Sequence, residues 1–303
     1  MVRLTAITRT RNTEDVARVP ATSSPTARRR ELGSMLRSLR ADTGLTAEEV
    51  AQRLGVSRSK ITRLETGERG ASEVDILSLC ELYQVDEKYR EYLTGLAAEG
   101  KQRGWWRPLT TPHSAYIGLE SDAASISDYG LALVPGLLQT PDYARAIVRA
   151  GTPGMAAETV EERVRLRIAR QPLLTSEAAP SFDAVLDESV LHRVVESPDV
   201  MLAQLRQLLE MSQLPKVTIR VIPYEAGIVP AGVNKFIILW FEPPRIDDIV
   251  QIEDLAGHRY LTQRKIVDHY KAAFRRLVSL SIDPAATRAV IRAKMASYES
   301  IVR

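Results

Sequence analysis

Apolar residues recur every three or four positions between residues 28 and 100, which is the spacing of helices that bury one face. The inward residues of the first helix are Leu32, Met35, Leu36 and Leu39. The fourth helix begins after Ser72, which has Asp75 three residues on as a capping box. Its inward residues are expected to be Val74, Leu77 and Cys80 or Leu82. The pattern predicts five short helices that pack as one domain over residues 28–100.

The second and third of these helices are joined by a tight, glycine-containing turn. Thr46 and Glu49 have the spacing of a capping box, and Ser57 is placed to cap the next helix. Ile61 and Leu64 share the inward face of that helix, which leaves its polar side chains outside. Those side chains are Arg58, Ser59, Lys60, Thr62 and Arg63. Such a helix pair fits a DNA major groove, although similar pairs also occur in helical domains that never touch nucleic acid.

The rest of the chain mixes helical periodicity with β-branched runs. Helices are predicted over residues 116–128, 140–148, 159–171, 200–214, 262–280 and 284–297. Strands are predicted over residues 182–186, 217–222, 236–241 and 249–253. The first helix is expected to bury Ile126, and the third to be capped by Thr159 with Glu162. The predicted fold class is mainly α with a smaller α+β part, in which a five-helix domain precedes a helical and mixed-sheet domain.

The overall composition adds little to this picture. The 41 basic and 38 acidic residues nearly cancel, so net charge alone does not indicate a nucleic-acid partner; only the local cations of the third helix do. Cys80 is the single cysteine, which excludes an internal disulfide and favours a reducing cytoplasm. No apolar run reaches the length of a membrane span. We therefore expect a cytoplasmic protein without a membrane partner.

Two further segments flank the helical domain. Residues 1–27 contain arginines among Thr, Ser and Pro without periodicity, which predicts a disordered basic arm. That arm is either a solvated tail or an addition to DNA affinity. Residues 101–115 are predicted to be a linker before a C-terminal domain at 116–300. Trp105 and Trp106 in the linker either anchor the two domains or form a stacking platform for bases.

No constellation in the sequence is typical of a catalytic or metal site. The histidines lack the spacing of metal ligands, so we expect no metal, no cofactor and no catalytic residue. Asp187, Glu188 and His192 form the best candidate group. Carboxylates at such a position, where a strand gives way to a helix, more often cap the helix than catalyse.

A binding site is better supported than a catalytic one. The loop at residues 223–234 has the Gly and Pro content of a pocket-lining segment, with Glu225 and Asn234 as its polar contacts. The predicted helix at 159–171 carries Arg163, Arg165, Arg167 and Arg170. These arginines either hold nucleic acid, an acidic protein or a phosphate-bearing ligand, or form a solvated face paired with neighbouring glutamates.

The stretch GLTAEEVAQRLGVSRSKITRLETG, residues 44–67, resembles the helix-turn-helix of the XRE family of λ-repressor-like regulators. The resemblance covers residues 32–96 and implies DNA binding by the third helix. One position departs from the family pattern: Ala47 stands at the first position of the second helix, where members often carry Gln. Fewer contacts at that point are implied.

A second resemblance covers residues 105–291. It rests on the phrases GWWRP, YIGLESDA, LVPGLLQTPDYARA, ERVRLRIARQ, VLDESVLHR and QLPKVTIRVIP. They are similar to a domain of unknown function that follows the helix-turn-helix in many actinobacterial regulators. The resemblance implies a regulator of development or secondary metabolism, with a small acidic protein encoded nearby as a plausible partner, and it supplies no activity.

These observations predict a homodimeric transcriptional regulator that binds double-stranded DNA. Arg58, Ser59 and Thr62 are expected at base edges, Lys60 and Arg63 at phosphates, and Ser57 at the helix cap. The C-terminal domain is expected to sense a ligand or a partner protein. Two rival classes remain: an adaptor that holds a small acidic protein, and a small-molecule-modifying enzyme with a DNA-binding head.

Overall fold

Five capped helices form the N-terminal part of the chain, as predicted. The computed structural model describes residues 24–102, 114–229, 234–242, 246–254 and 257–302. The helices are α1 (Pro25–Asp42), α2 (Ala47–Arg53), α3 (Arg58–Glu65), α4 (Glu73–Leu82) and α5 (Glu87–Glu99). Each begins with a side-chain cap that accepts a hydrogen bond from the backbone N–H three residues on; the caps are Ser24, Thr46, Ser57, Ser72 and Asp86. The predictions for residues 1–23 and for Trp105 and Trp106 lie outside the described residues.

Helix α1 begins at Pro25, three residues before the predicted start of the domain. Pro25 occupies the first helical turn, where its missing N–H costs nothing. Thr26, Ala27 and Arg28 are all buried. The expected disordered arm is therefore wrong for residues 24–27, because a cap and an N-terminal proline start the helix within what looks like a polar tail.

Helix α4 buries Cys80 as predicted, but Val74 and Leu77 do not face the core. Val74 is 70% exposed and Leu77 is 43% exposed, so both point towards solvent. The buried residues are Ile76, Leu79, Cys80 and, just after the helix, Tyr83. The two stripes are interleaved on one apolar helix, so spacing alone does not distinguish them. Asp75 of the same helix forms an ion pair with Lys60 of α3.

Helices α1 and α3 cross with their backbones in contact at Gly33. A Cβ atom on Gly33 would lie 2.6 Å from carbonyl oxygens at the end of α3, closer than a side chain can come. Gly67 follows α3 with φ +69°, and a Cβ there would lie 2.7 Å from the Cα of Arg30. Arg40 closes the crossing with two hydrogen bonds to Glu65, at 2.6 and 3.0 Å. The position of α3 is therefore set by a rigid contact behind it.

The C-terminal part contains one sheet and the remaining helices. Its helices are α6 (Ser114–Asp122), α7 (Pro141–Gly151), α8 (Ala157–Ile168), α9 (Ser189–His192), α10 (Pro198–Met211), α11 (Arg264–Leu280) and α12 (Pro284–Val302). Its strands are β1 (Ser125–Gly130), β2 (Ser181–Asp187), β3 (Val217–Ile222), β4 (Phe236–Trp240), β5 (Ile249–Asp254) and β6 (Gly257–Leu261). Short 3₁₀ turns lie at Gly136–Leu138, Gln171–Leu174 and Tyr224–Ala226.

The six strands form a mixed sheet in the order β3-β2-β1-β4-β5-β6. Strands β1, β2 and β3 are parallel, whereas β4, β5 and β6 continue the sheet as antiparallel neighbours. One face packs against α6, α10 and α12, and the other against α11. Burial on both faces explains the continuous apolar run of β4. The predicted class, mainly α with a smaller α+β part, is confirmed.

Two predicted elements differ from the structure, and strand β6 is additional to the prediction. The helix expected over residues 116–128 ends at Asp122, and Ile126 lies on central strand β1. The buried polar pair Ser127 and Asp128 interrupts the apolar run that would otherwise indicate a strand. Helix α8 begins at Ala157 without a side-chain cap, so the predicted capping by Thr159 is wrong. Strand β6 was not predicted, because its residues are only partly buried.

The first turn of α1 docks on α6, which joins the two parts of the chain. The backbone N–H of Ser24 donates to both carboxylate oxygens of Asp122, at 2.9 and 2.7 Å. The Ser24 hydroxyl donates to the carbonyl oxygen of Gly118 at 2.8 Å. Further along α1, the Arg30 guanidinium lies over the Tyr260 ring of β6, 5.2 Å from its centre. Helix α1 therefore contacts α3 and the C-terminal part at once.

Replacing Gly33 with alanine should destabilise the protein by about 2 to 3 kcal/mol, because the added methyl group meets backbone atoms that cannot move aside. Gly95 on α5 is the matched control, since nothing lies within 4 Å of a Cβ built there. Gly95→Ala should be neutral or stabilise by up to about 1 kcal/mol. Chemical denaturation followed by circular dichroism measures both. Equal stability of the two variants would contradict the close crossing.

Candidate nucleic-acid interface and polar cavity

Helix α3 presents a row of polar side chains to solvent. Ile61 and Leu64 hold its opposite face in the core. The exposed side chains are Arg58, Ser59, Thr62 and Arg63. The hydroxyl of Ser57, which precedes the helix, accepts a hydrogen bond from the backbone N–H of Lys60 at 3.2 Å. All six residues predicted to bind DNA thus lie on one short helix and its cap.

The Thr62 hydroxyl already donates its hydrogen bond within α3. Its Oγ1 donates to the carbonyl oxygen of Arg58, one turn earlier, at 3.2 Å. The oxygen lone pairs stay available, so in this conformation Thr62 can accept a hydrogen bond but not donate one. A base edge opposite it would have to offer an amino group, as adenine and cytosine do in the major groove.

Lys60 differs from its neighbours because it is held in an ion pair. Its Nζ lies 2.5 Å from Oδ1 of Asp75 on α4. Asp75 also accepts the backbone N–H of Ser72 at 2.9 Å, so one carboxylate caps α4 and neutralises a cation of α3. Burial acts to raise the pKa of Asp75, but the hydrogen bonds from Lys60 and Ser72 outweigh it and the pKa is lowered. To bind a phosphate, Lys60 must exchange this partner.

A second candidate site is a cavity of about 220 Å³ between the sheet and α8. The strand register places Asp128 of β1 beside Ile237 of β4, which is beside Gln251 of β5. These three side chains form the floor of the cavity. Arginines from α8 and the residues after it line the opposite wall; they are Arg163, Arg167 and Arg170. Of the four arginines predicted to share a face, Arg165 alone is exposed.

Arg170 is neutralised within the cavity wall. Its Nε and Nη2 donate to the two carboxylate oxygens of Glu120 on α6, at 2.7 and 2.6 Å. The guanidinium also lies over the Tyr116 ring, 5.1 Å from the centre. Burial acts to lower the pKa of Arg170, but Glu120 outweighs it and the pKa is raised. This bidentate pair explains why α6 carries a buried glutamate.

Two other charges in the cavity have no such partner. Arg167 donates to the Gln139 side-chain oxygen at 2.7 Å and pairs with no carboxylate of the described residues. Burial lowers its pKa to about 10. Asp128 is only 3% exposed, and its Oδ1 has no hydrogen-bond partner in the part of the chain that is described. Burial, only partly offset by Lys235, raises the pKa of Asp128 to about 6.

The group Asp187, Glu188 and His192 makes structural contacts. Asp187 accepts the backbone N–H of Ser189 at 2.9 Å, at the start of α9. Glu188 accepts the backbone N–H of Tyr224 at 2.8 Å and lies 3.2 Å from a ring nitrogen of the exposed His192. Both carboxylates therefore accept backbone hydrogen bonds, but only that of Asp187 does so at the start of α9, whose N-cap residue Glu188 makes no capping hydrogen bond.

The described residues of the loop predicted to line a pocket, 223–229 and 234, do not line the cavity. Neither Glu225 nor Asn234 lies in its wall, while Lys235, the next residue, does. Residues 230–233 of the loop lie outside the described residues. The sequence pattern does not identify the residues that line the cavity, because it predicts a helix for the segment of β1 that supplies Asp128.

Comparison with known families agrees with this two-part organisation. A family described as a helix-turn-helix domain matches residues 31–93, which include α3 and its supporting helices. The chain thus contains a DNA-binding domain of the helix-turn-helix class. A second family, described as a domain of unknown function (DUF5753), matches residues 113–293, and the chain belongs to this family. No curated protein matches the chain.

Two features are absent from the described ranges. None of their helices is both long and apolar enough to cross a membrane. No cluster of three or more His, Cys, Asp or Glu side chains in these ranges is arranged to hold a metal ion.

Replacing Asp75 with asparagine should strengthen binding to any DNA. The asparagine oxygen can still accept the Ser72 N–H, but Lys60 loses its counter-ion and becomes available to phosphates. The plot of log affinity against log salt should steepen by about one unit. Fluorescence anisotropy at several salt concentrations measures the slope. The control is the same change in a Lys60→Gln background, where an equal gain would show that the carboxylate merely repels DNA.

Asp128→Asn should stabilise the protein increasingly as pH rises. The pKa of this carboxyl group is higher in the folded than in the unfolded state. Its contribution to stability is therefore fully present at a pH below the unfolded-state pKa, and it is lost as the pH rises through the folded-state pKa. The groups that act on Asp128 are Lys235, Glu120, Arg170 and Glu253. Between a pH of about 4 and a pH of about 7, the free energy of unfolding of the variant should rise by on the order of 2 kcal/mol relative to that of the unaltered protein. Urea titrations at each pH test this, and a constant difference would refute it.

Proposed function

We propose that this protein is a sequence-specific transcriptional regulator that reads double-stranded DNA with α3. The observation that carries the proposal is the exposed polar face of α3, which the glycine crossing with α1 holds in place from behind. The helix-turn-helix family match over the same residues supports DNA binding. A helix of this kind is narrow enough to enter the major groove, where each base pair shows a distinct pattern of donors and acceptors.

The exposed residues divide into two roles. Arg58 reads a guanine through O6 and N7, because its planar guanidinium can donate two parallel hydrogen bonds. Ser59 and Thr62 contact neighbouring base edges less strictly. Arg63 and Lys60 bind phosphates, Lys60 after leaving Asp75. Ser57 caps the helix, so that its first free N–H groups face the DNA backbone.

The regulator acts as a homodimer. One copy of α3 offers only a few base contacts, and specific DNA binding needs a larger interface. Two copies on half-sites about one helical turn apart supply it. The operator is therefore expected to be a palindrome or a near-palindrome.

The C-terminal part senses a small molecule or a small acidic partner protein and passes its state to the DNA-binding domain. Helix α6 supports this role because some of its residues line the cavity and others contact α1. Tyr116, Ile117 and Glu120 line the cavity. Gly118 and Asp122 bind the first turn of α1. Control of development or secondary metabolism is the biological setting that the resemblance implies.

The two rival functions find less support. An adaptor for an acidic protein would present the arginines of α8 outward, yet Arg167 and Arg170 line a cavity. The adaptor would be favoured if an acidic protein co-purified with this chain and if Arg165→Ala lowered the amount recovered. An enzyme would need carboxylates that face a substrate, whereas those of Asp187 and Glu188 accept hydrogen bonds from the backbone. We therefore expect no catalytic activity.

Arg58→Ala should reduce the free energy of binding by about 1 to 3 kcal/mol and relax the sequence preference at one base pair of the site. Lys60→Ala should instead weaken binding to all sequences alike. Selection of bound DNA from a random pool identifies the site, and titrations against site variants measure both changes. Arg206→Ala, an equal loss of charge on the exposed face of α10, controls for net charge. Equal losses on every sequence for Arg58→Ala would refute its assignment.

A further inference from the structure

The cavity below α8 holds two opposite charges that do not meet. Arg167 enters it from the α8 wall and Asp128 from the floor on β1. Both line the same space of about 220 Å³, yet no ion pair joins them. Two of the other charged groups in the wall are better satisfied. Arg170 is paired with Glu120, and Lys235 lies 3.7 Å from Glu253.

This arrangement is costly for the protein on its own. A buried charge without a partner loses its hydration and gains nothing in return, so such groups are rare unless a ligand or a function requires them. Asp128 is the clearer case, because it is only 3% exposed and one of its oxygens has no donor among the described residues. An isolated cation and an isolated anion across one cavity match a molecule with the opposite pair of charges.

The remaining wall restricts the size and nature of that molecule. Apolar side chains line the space between the charged groups; they are Ile117, Leu137, Ile147, Val148, Leu166 and Ile237. A dry cavity of about 150 Å³ is known to accept benzene. The present cavity therefore suits a molecule of roughly ten non-hydrogen atoms with an apolar tail.

We propose that this cavity binds a small zwitterion of the amino-acid class, whose carboxylate is held by Arg167 and whose ammonium group is held by Asp128. The guanidinium offers a fork of donors that fits a carboxylate, with Gln139 fixing its orientation. The Asp128 carboxylate supplies the acceptor that an ammonium group needs. The inference rests on the sensing role proposed above and names its effector class.

The test is direct binding of free amino acids to the full chain, without DNA. The twenty standard L-amino acids are screened at millimolar concentration for a rise in the thermal midpoint, where a binder should give about 2 °C or more. The best one is then measured by calorimetry against its methyl ester, which lacks the anion, and its N-acetyl form, which lacks the cation. Each derivative should bind at least about tenfold more weakly than the parent.

Two variants and a control assign the site. Arg167→Gln and Asp128→Asn should each reduce the affinity at least about tenfold, whereas Arg165→Gln on the exposed side of α8 should leave it unchanged. Thermal unfolding shows that each variant is folded, and Asp128→Asn should melt higher than the unaltered protein without ligand.

Three results would overturn the proposal. In the first, no amino acid shifts the midpoint. In the second, the N-acetyl form binds as well as the parent, which would make the site one for simple anions. In the third, Arg165→Gln weakens binding as much as Arg167→Gln. Because no DNA is present, failure here is distinguishable from failure of the DNA-binding proposal, which the operator titrations test.

Discussion

The bare contact between α1 and α3 at Gly33 is the constraint on which the rest of this structure depends. No side chain separates the two backbones, so α3 cannot slide or rotate without α1. The Arg40–Glu65 pair adds a second contact at the same end of α3. A short helix has little stability of its own. Its exposed face keeps one orientation because its buried face is held in this way.

The same helix α1 is also the link to the C-terminal part. Its first turn is hydrogen-bonded to Asp122 and Gly118 of α6, and the opposite side of α6 carries Glu120 into the polar cavity. A chain of direct contacts thus runs from the cavity through α6 and α1 to α3. Helix α1 is therefore the element that physically joins the two sites.

Much of the N-terminal part could be predicted from sequence because its helix starts are marked by local chemistry. Thr46, Ser57 and Ser72 cap their helices as expected, through hydrogen bonds made within three residues. The errors arose where distant residues decide the outcome. The buried face of α4 depends on its packing against the other helices of the domain, and the early start of α1 is secured by Asp122, which lies 98 residues away.

The cavity could not be predicted for a related reason. Strand β1 lies in the centre of the sheet but carries Ser127 and Asp128, so its sequence lacks the apolar run of a buried strand. The arginines of α8 look like a solvated face, since nothing in their spacing shows that Glu120 lies beneath them. Polar residues at buried positions break the usual patterns, and such departures are expected where a protein binds something.

The claim that α3 is the element that reads DNA is tested most directly by a crystal structure of the full chain with a DNA duplex recovered by selection. We predict that α3 lies in the major groove, with the Arg58 guanidinium within hydrogen-bond distance of a base edge and the Lys60 ammonium turned from Asp75 towards a phosphate. A complex in which α3 faces solvent or another protein surface, while DNA is held elsewhere, would contradict the account.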